Sequence, residues 1–195
     1  GFFFFYMAIN HSMKKILKAL SFDGIEVEAA RHLASLKAID PMKIFHKTID
    51  YKIYNGDYEV PVRIYLPREK VTEDLPVFLF FHGGGWVTDC IDNYERICAR
   101  LASATEHIVV SVEYRLAPEH PFPTGFMDCY AVAKAIYTNR FILNVNPQRI
   151  TLIGDSAGGN LAAAVSLKAR DDGIFKPQRQ ILIYPAVNND YSENS

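Results

Sequence analysis

The chain has 195 residues, 49% hydrophobic and 22% charged, with a formal net charge of -1. That length and balance suit one soluble globular domain able to bury its own core. A sequence pI of about 6.7 lacks the basic footprint of a nucleic-acid binder, no apolar run of about 18 residues offers a membrane span, and 13% aromatic content is too high for a disordered chain.

The first residues, Phe2–Phe5 with Tyr6, Met7, Ala8 and Ile9, form a short apolar run. Lys14 and Lys15 follow that run instead of preceding it, which is the wrong order for a secretory leader. It reads as a cloning remnant or as a docking strand or helix. Residues 12–38 predict two helices. Met13, Ile16, Leu17 and Leu20 fall on one helical face. Asp23 with Glu26 resembles a capping box ahead of a second stripe, Ile25, Ala29, Leu33 and Leu36. Pro41 closes the region.

From Thr48 the apolar period becomes two. Ile49, Tyr51 and Ile53, then Val60, Val62, Ile64 and Leu66, flank Asn55-Gly56 and predict a hairpin with a tight turn there. Pro67, Arg68, Glu69, Lys70, Glu73 and Asp74 read as a solvated loop. Short continuous apolar runs follow at Val77–Phe81, Ile108–Val112, Ile150–Ile153 and Ile181–Tyr184, as in strands covered on both faces. Helical segments lie between them near 92–105, 124–140 and 157–170, the first opening on a capping-box-like Asp92 and Glu95. The alternation predicts an α/β fold with a mostly parallel, doubly wound sheet. Cys90, Cys98 and Cys129 are odd in number and lack CxxC spacing. They read as reduced thiols in a reducing compartment, hence a cytoplasmic placement, and not as a disulfide frame or zinc site.

Chemistry concentrates in three blocks. Gly154-Asp155-Ser156-Ala157-Gly158 is a G-x-S-x-G between an apolar strand and an alanine-rich helix, the context that a nucleophile elbow needs. The serine's neighbours at ±2 must lack bulk, and the Ala157 N–H at the helix start is a natural oxyanion donor. His82-Gly83-Gly84-Gly85-Trp86 follows the strand at 77–81. Its glycines read either as a flexible turn or as uncovered N–H groups aimed at developing negative charge. Tyr114-Arg115-Leu116-Ala117-Pro118-Glu119-His120-Pro121-Phe122-Pro123 is a proline-stiffened loop. Its Arg115, Glu119 and His120 read as satisfying one another and nearby carbonyls more readily than as catalysts.

These blocks, with the later Leu182-Ile183-Tyr184-Pro185, resemble the hormone-sensitive-lipase-like carboxylesterases of the α/β-hydrolase fold from about residue 45 onward. The resemblance implies Ser156 as nucleophile. It implies an oxyanion hole from the glycines Gly83, Gly84 and Gly85, foremost Gly84 and Gly85, together with Ala157. Trp86 and Asp155 become candidate pocket residues, although Asp155 also resembles a structural position and not the triad acid. His82 resembles a loop-holding residue. Residues 1–45 would form a helical cap segment and 46–195 an incomplete α/β-hydrolase core.

The triad order in that fold is Ser, Asp/Glu, His. All six histidines (His11, His32, His46, His82, His107 and His120) precede Ser156, and the later acids are only Asp171, Asp172, Asp190 and Glu193. The family's later acid and histidine motifs are missing. The expectation is therefore a C-terminal part absent from this chain, with the triad acid and histidine beyond residue 195. The open edge at Ile181–Tyr184 would then invite a complementary C-terminal fragment, and the aromatic N-terminus a homo-oligomer. The expected reaction is hydrolysis of short- to medium-chain carboxylic esters, small molecules, with no cofactor, metal, nucleic-acid or membrane partner. A non-catalytic binding module on the same fold is the alternative, and a peptidase or other serine hydrolase a nearer one.

Overall fold

A computed structural model describes residues 31, 47–56, 58–68 and 74–187. The two helices expected at 12–38, the apolar N-terminal run, the cap at 1–45 (Arg31 apart), most of the charged loop and the polar tail from 188 lie outside the described residues.

Strands β1 (Lys47–Asn55) and β2 (Tyr58–Leu66) form the expected hairpin. Asn55 pairs with Tyr58, so only residues 56 and 57 lie between the strands, and Gly56 takes the left-handed φ of +66°. The turn is thus shifted by one residue from the Asn55-Gly56 reading. Asn55 stays in the strand, and its side chain is used elsewhere.

Then come β3 (Val77–Phe81), α1 (Ile91–Thr105), β4 (Ile108–Val112), α2 (Thr124–Tyr137), β5 (Ile150–Asp155), α3 (Ala157–Asp172) and β6 (Arg179–Ile183). The sheet order is β1-β2-β4-β3-β5-β6. β3 through β6 are mutually parallel, while β1 pairs β2, and β2 pairs β4, antiparallel. Every residue of β3 and β4 is buried, as their unbroken apolar runs require. Alternation still sorts the faces. Val77, Leu79 and Phe81 pack with α2 and α3, while Phe78 and Phe80 pack with Cys98, Ala99 and Ala102 of α1.

α1 begins at Ile91 with Cys90 as its extended N-cap and no side-chain cap from its own residues. The expected Asp92/Glu95 box does not form, because the Asp92 carboxylate turns to Arg63 at 2.6 Å. Glu113, just past β4, instead accepts the Ile91 N–H at 2.7 Å. A carboxylate does stabilise this helix start, but a distant one in sequence.

The chain leaves β3 toward β4 on one side and later returns to β5 on the other. Reversal of winding opens a crevice beyond the carboxyl ends of adjacent strands. Phe81 and Gly154 are in register there, which sets the residues after each strand side by side. β6 ends the described sheet, with Ile181, Ile183 and Tyr184 exposed. Among the described residues no helix is long and apolar enough to cross a membrane.

Candidate active site

β5 ends at Asp155 and α3 starts at Ala157, so Ser156 alone makes the turn. It does so at φ 52°, ψ -115°, a conformation costly for any residue bearing a Cβ. The turn is clasped from β6: the Ser156 N–H donates to the Ile183 carbonyl (2.9 Å), and the Ser156 carbonyl accepts from the N–H groups of Ala186 and Asn160 (both 3.1 Å). Asn160 adds a bond from Nδ2 to the Ala186 carbonyl at 2.8 Å. Close approach explains the flanking glycines. A Cβ on Gly158 would run into the Phe81 and His82 carbonyls, and one on Gly154 into the Gly158 backbone. No described residue hydrogen-bonds the Ser156 hydroxyl.

Beside this elbow, the loop after β3 folds on itself. The Gly84 carbonyl accepts from the N–H groups of Val87 (3.1 Å) and Thr88 (2.9 Å) and from the Thr88 hydroxyl (3.0 Å). Gly84 has φ +104°, and a Cβ there would strike the Thr88 carbonyl, so both space and conformation demand glycine. Among the described residues, neither the Gly84 nor the Gly85 N–H has an acceptor. Gly83 differs: its N–H donates to Asp155 Oδ1 at 3.1 Å and to the Tyr94 hydroxyl oxygen at 3.2 Å. Tyr94 in turn donates to Asp155 Oδ2 at 2.7 Å. Asp155 thus ties the elbow to the glycine loop through Tyr94, a residue of α1 that the motif reading did not pick out. Burial pushes the Asp155 carboxyl above its ordinary range, partly offset by the bonds from Tyr94 and Gly83. Trp86 also has a left-handed φ, 63°, and stands 37% exposed, at odds with core packing.

His82 is fully buried, its ring stacked on Tyr114 at 4.3 Å and tilted against Tyr94 at 5.6 Å. Nδ1 lies 2.7 Å from the Gly83 carbonyl, an acceptor only, so Nδ1 carries the ring proton. Tyr114 donates to the His82 carbonyl at 2.7 Å. The histidine holds the loop and makes no hydrogen bond to Ser156. Burial lowers its pKa from 6.5 to about 4, against smaller opposing effects of the Gly83 carbonyl and Asp89.

Acid sensitivity follows. Well above pH 6.5 the ring is neutral in both folded and unfolded chains and adds no pH dependence. As pH falls from 6.5 to about 4, only the unfolded chain takes up the proton, so stability drops. The total loss is roughly 3 kcal/mol. Asp155 and Glu113, whose carboxyls are raised by burial, change stability in the opposite direction. The informative quantity is therefore the difference between the native chain and His82→Gln. Urea unfolding at pH 7.5 and pH 4 should show the native chain losing more stability than the variant; equal losses would refute a buried neutral His82.

The charged residues of the proline loop take other partners than expected. Arg115 pairs with Asp128 of α2, Nη2 to Oδ1 at 2.8 Å, while Glu119 pairs with Arg31 at 2.9 Å. Asp128 and Arg31 were invisible to motif reading, since a carboxylate inside one helix and an arginine within another apolar stripe carry no local signature. Phe122 at the loop tip is 86% exposed and stacks on Phe126. Among the described residues no group of three or more His, Cys, Asp or Glu could hold a metal ion.

Comparison with known proteins places this arrangement. Residues 78–195 match the model of a family described as having the α/β hydrolase fold. Over 174 residues the chain is 40% identical to carboxylesterase NlhH of Mycobacterium tuberculosis, which covers 87% of this chain and 53% of that protein. It is 37% identical to an arylesterase of Saccharolobus solfataricus, covering 89% and 55%. Among solved structures, a hyperthermophilic esterase from Pyrobaculum calidifontis matches with a TM-score of 0.73 at 36% identity, covering 96% of this chain and 61% of that one. The thermostable carboxylesterase EstE1 from a metagenomic library matches with a TM-score of 0.73 at 39% identity, covering 88% and 56%. The chain spans about half the length of the curated relatives it matches. Motifs, sheet order and likenesses converge: the chain belongs to the α/β-hydrolase fold family, in its hormone-sensitive-lipase-like carboxylesterase group.

Proposed function

We propose that this chain carries the nucleophile and oxyanion half of a serine carboxylesterase acting on short- to medium-chain esters. The observation that supports this most is the strained Ser156 between β5 and α3, with the glycine loop held beside it by the Gly83–Asp155 bond. In the proposed reaction the Ser156 oxygen attacks the ester carbonyl carbon, and the carbonyl electron pair moves onto oxygen. The N–H groups of Gly84, Gly85 and Ala157 receive that charge. Gly83, which shares the motif with them, is left out because its N–H is already engaged by Asp155 and Tyr94. Collapse expels the alcohol and leaves a serine ester, which water cleaves to the acid. The base that takes the serine proton is a histidine with its acid partner, both supplied from beyond residue 195. Trp86 lines the pocket mouth. The free thiols Cys90, Cys98 and Cys129 support a reducing, cytoplasmic setting.

A non-catalytic binding role is the second reading. It is favoured by one observation: none of the described histidines (His82, His107, His120) hydrogen-bonds Ser156. The two readings separate by chemistry. The native polypeptide, its intact mass measured first, is treated with an aryl phosphonate ester and mapped by peptide mass spectrometry. A phosphonyl adduct on Ser156, with loss of p-nitrophenyl ester turnover in proportion, supports the esterase. Turnover that persists with Ser156 unlabelled would falsify it, and neither adduct nor turnover would point to the binding module.

A further inference from the structure

Arg31 is the only described residue among the first 46, and its guanidinium is spent on loops far away in sequence. Nε donates to the Val87 carbonyl at 2.8 Å, and Nη2 donates to the Ala117 carbonyl at 3.2 Å. The same fork grips Glu119 with both ends, Nη1 to Oε1 at 3.1 Å and Nη2 to Oε2 at 2.9 Å. Val87 belongs to the turn that Gly84 opens. Ala117 and Glu119 belong to the proline loop, whose Ala117 N–H already donates to the Trp86 carbonyl at 2.9 Å. One side chain therefore closes a three-way junction of N-terminal segment, glycine loop and proline loop. Beside Arg31 the Glu119 carboxyl is held below its ordinary range.

We propose that Arg31 is a positioning residue for the oxyanion loop: its fork to the Val87 and Ala117 carbonyls fixes the turn that carries the Gly84 and Gly85 donors. The inference rests on the esterase reading above. Its physical basis is the shape of the donor. An exposed Arg–Glu pair alone contributes little. A planar fork that meets two carbonyls and a carboxylate together restricts two loops at once, and a lysine ammonium, a point charge without that fork, cannot reproduce it. Oxyanion donors act only when held where charge develops, and a displacement near 1 Å costs about 100-fold in rate.

The test compares the native polypeptide with Arg31→Met, Arg31→Lys and Glu119→Gln by amide hydrogen exchange and ester kinetics. Arg31→Met should speed exchange of the amides in 84–88 and 115–119 and lower kcat by about 10- to 100-fold with KM changed little. Arg31→Lys, which restores charge but not the fork, should remain closer to Arg31→Met than to the native chain. Glu119→Gln, which keeps both carbonyl bonds, should show a smaller fall than Arg31→Met. Unchanged exchange in Arg31→Met overturns the clamp. Faster exchange with unchanged kcat, or full recovery in Arg31→Lys, overturns the positioning role. If the native polypeptide shows no turnover, the esterase reading fails by itself, and the exchange comparison alone decides whether Arg31 holds the loop.

Discussion

Replacing Ser156 with alanine in the polypeptide that bears the whole triad is expected to lower turnover of a short p-nitrophenyl ester by about 10⁴-fold or more. The size of the effect comes from losing covalent catalysis outright, since neither the glycine loop nor the Ala157 N–H can stabilise an oxyanion that never forms. Stability should respond differently. Ser156→Ala keeps a Cβ at φ 52°, ψ -115°, so the strain, of the order of 1–3 kcal/mol, remains. Ser156→Gly removes the Cβ and relieves it, less the extra chain entropy of glycine, about 0.5–1 kcal/mol. Ser156→Gly should therefore be the more stable of the two by about 1 kcal/mol, read as a higher urea midpoint at constant slope. Preserved turnover in Ser156→Ala would end the nucleophile assignment. A glycine variant no more stable than the alanine one would end the claim that the elbow stores strain. The second comparison needs no substrate, so it holds whichever functional reading survives.

The central strands and their helices were legible because their cause is local. Val77–Phe81 and Ile108–Val112 are unbroken apolar runs, and such runs are stable only when covered on both sides; the strands occupy those residues. The elbow was legible for a similar reason: backbone approaches within a few ångströms of Gly154 and Gly158 admit no other residue, so the requirement is written as composition. What could not be read is whatever depends on partners far apart in sequence. Asp92 and Glu95 had the spacing of a cap, yet Asp92 found Arg63 and the cap came from Glu113. Gly83, Gly84 and Gly85 look alike in a line of text. Only the fold distinguishes the N–H that Asp155 and Tyr94 occupy from the two without acceptors among the described residues. Arg115 reads in the sequence as a partner of Glu119, His120 and nearby carbonyls, but its carboxylate lies thirteen residues on, in α2.

That carboxylate carries the larger stability prediction. Asp128 is wholly buried in α2 and accepts four hydrogen bonds. Arg115 supplies three, from its backbone N–H (3.1 Å), Nε (2.9 Å) and Nη2 (2.8 Å). Asn55 Nδ2 supplies the fourth at 2.7 Å. The Arg115 guanidinium also lies over the Tyr58 ring, 4.2 Å from its centroid. Asn55 and Tyr58 are the paired residues that close the hairpin, so a single carboxylate joins the hairpin end, the proline loop and α2. A buried charge that keeps this many donors is tolerated; remove it, and a largely buried guanidinium and an amide lose the acceptor that justified their burial. Asp128→Ala is expected to destabilise the chain by about 3 to 5 kcal/mol, and Asp128→Asn by less, since its amide oxygen can keep the two donors that one carboxylate oxygen accepts. Arg115→Met should cost at least as much as Asp128→Asn, because it leaves the wholly buried Asp128 carboxylate without its counter-charge and with only the Asn55 amide and the residue-115 N–H as donors. Urea unfolding of the three variants gives the order directly. Were Asp128→Ala to cost under about 1 kcal/mol, the value of an ordinary net hydrogen bond, the carboxylate would not be joining these elements.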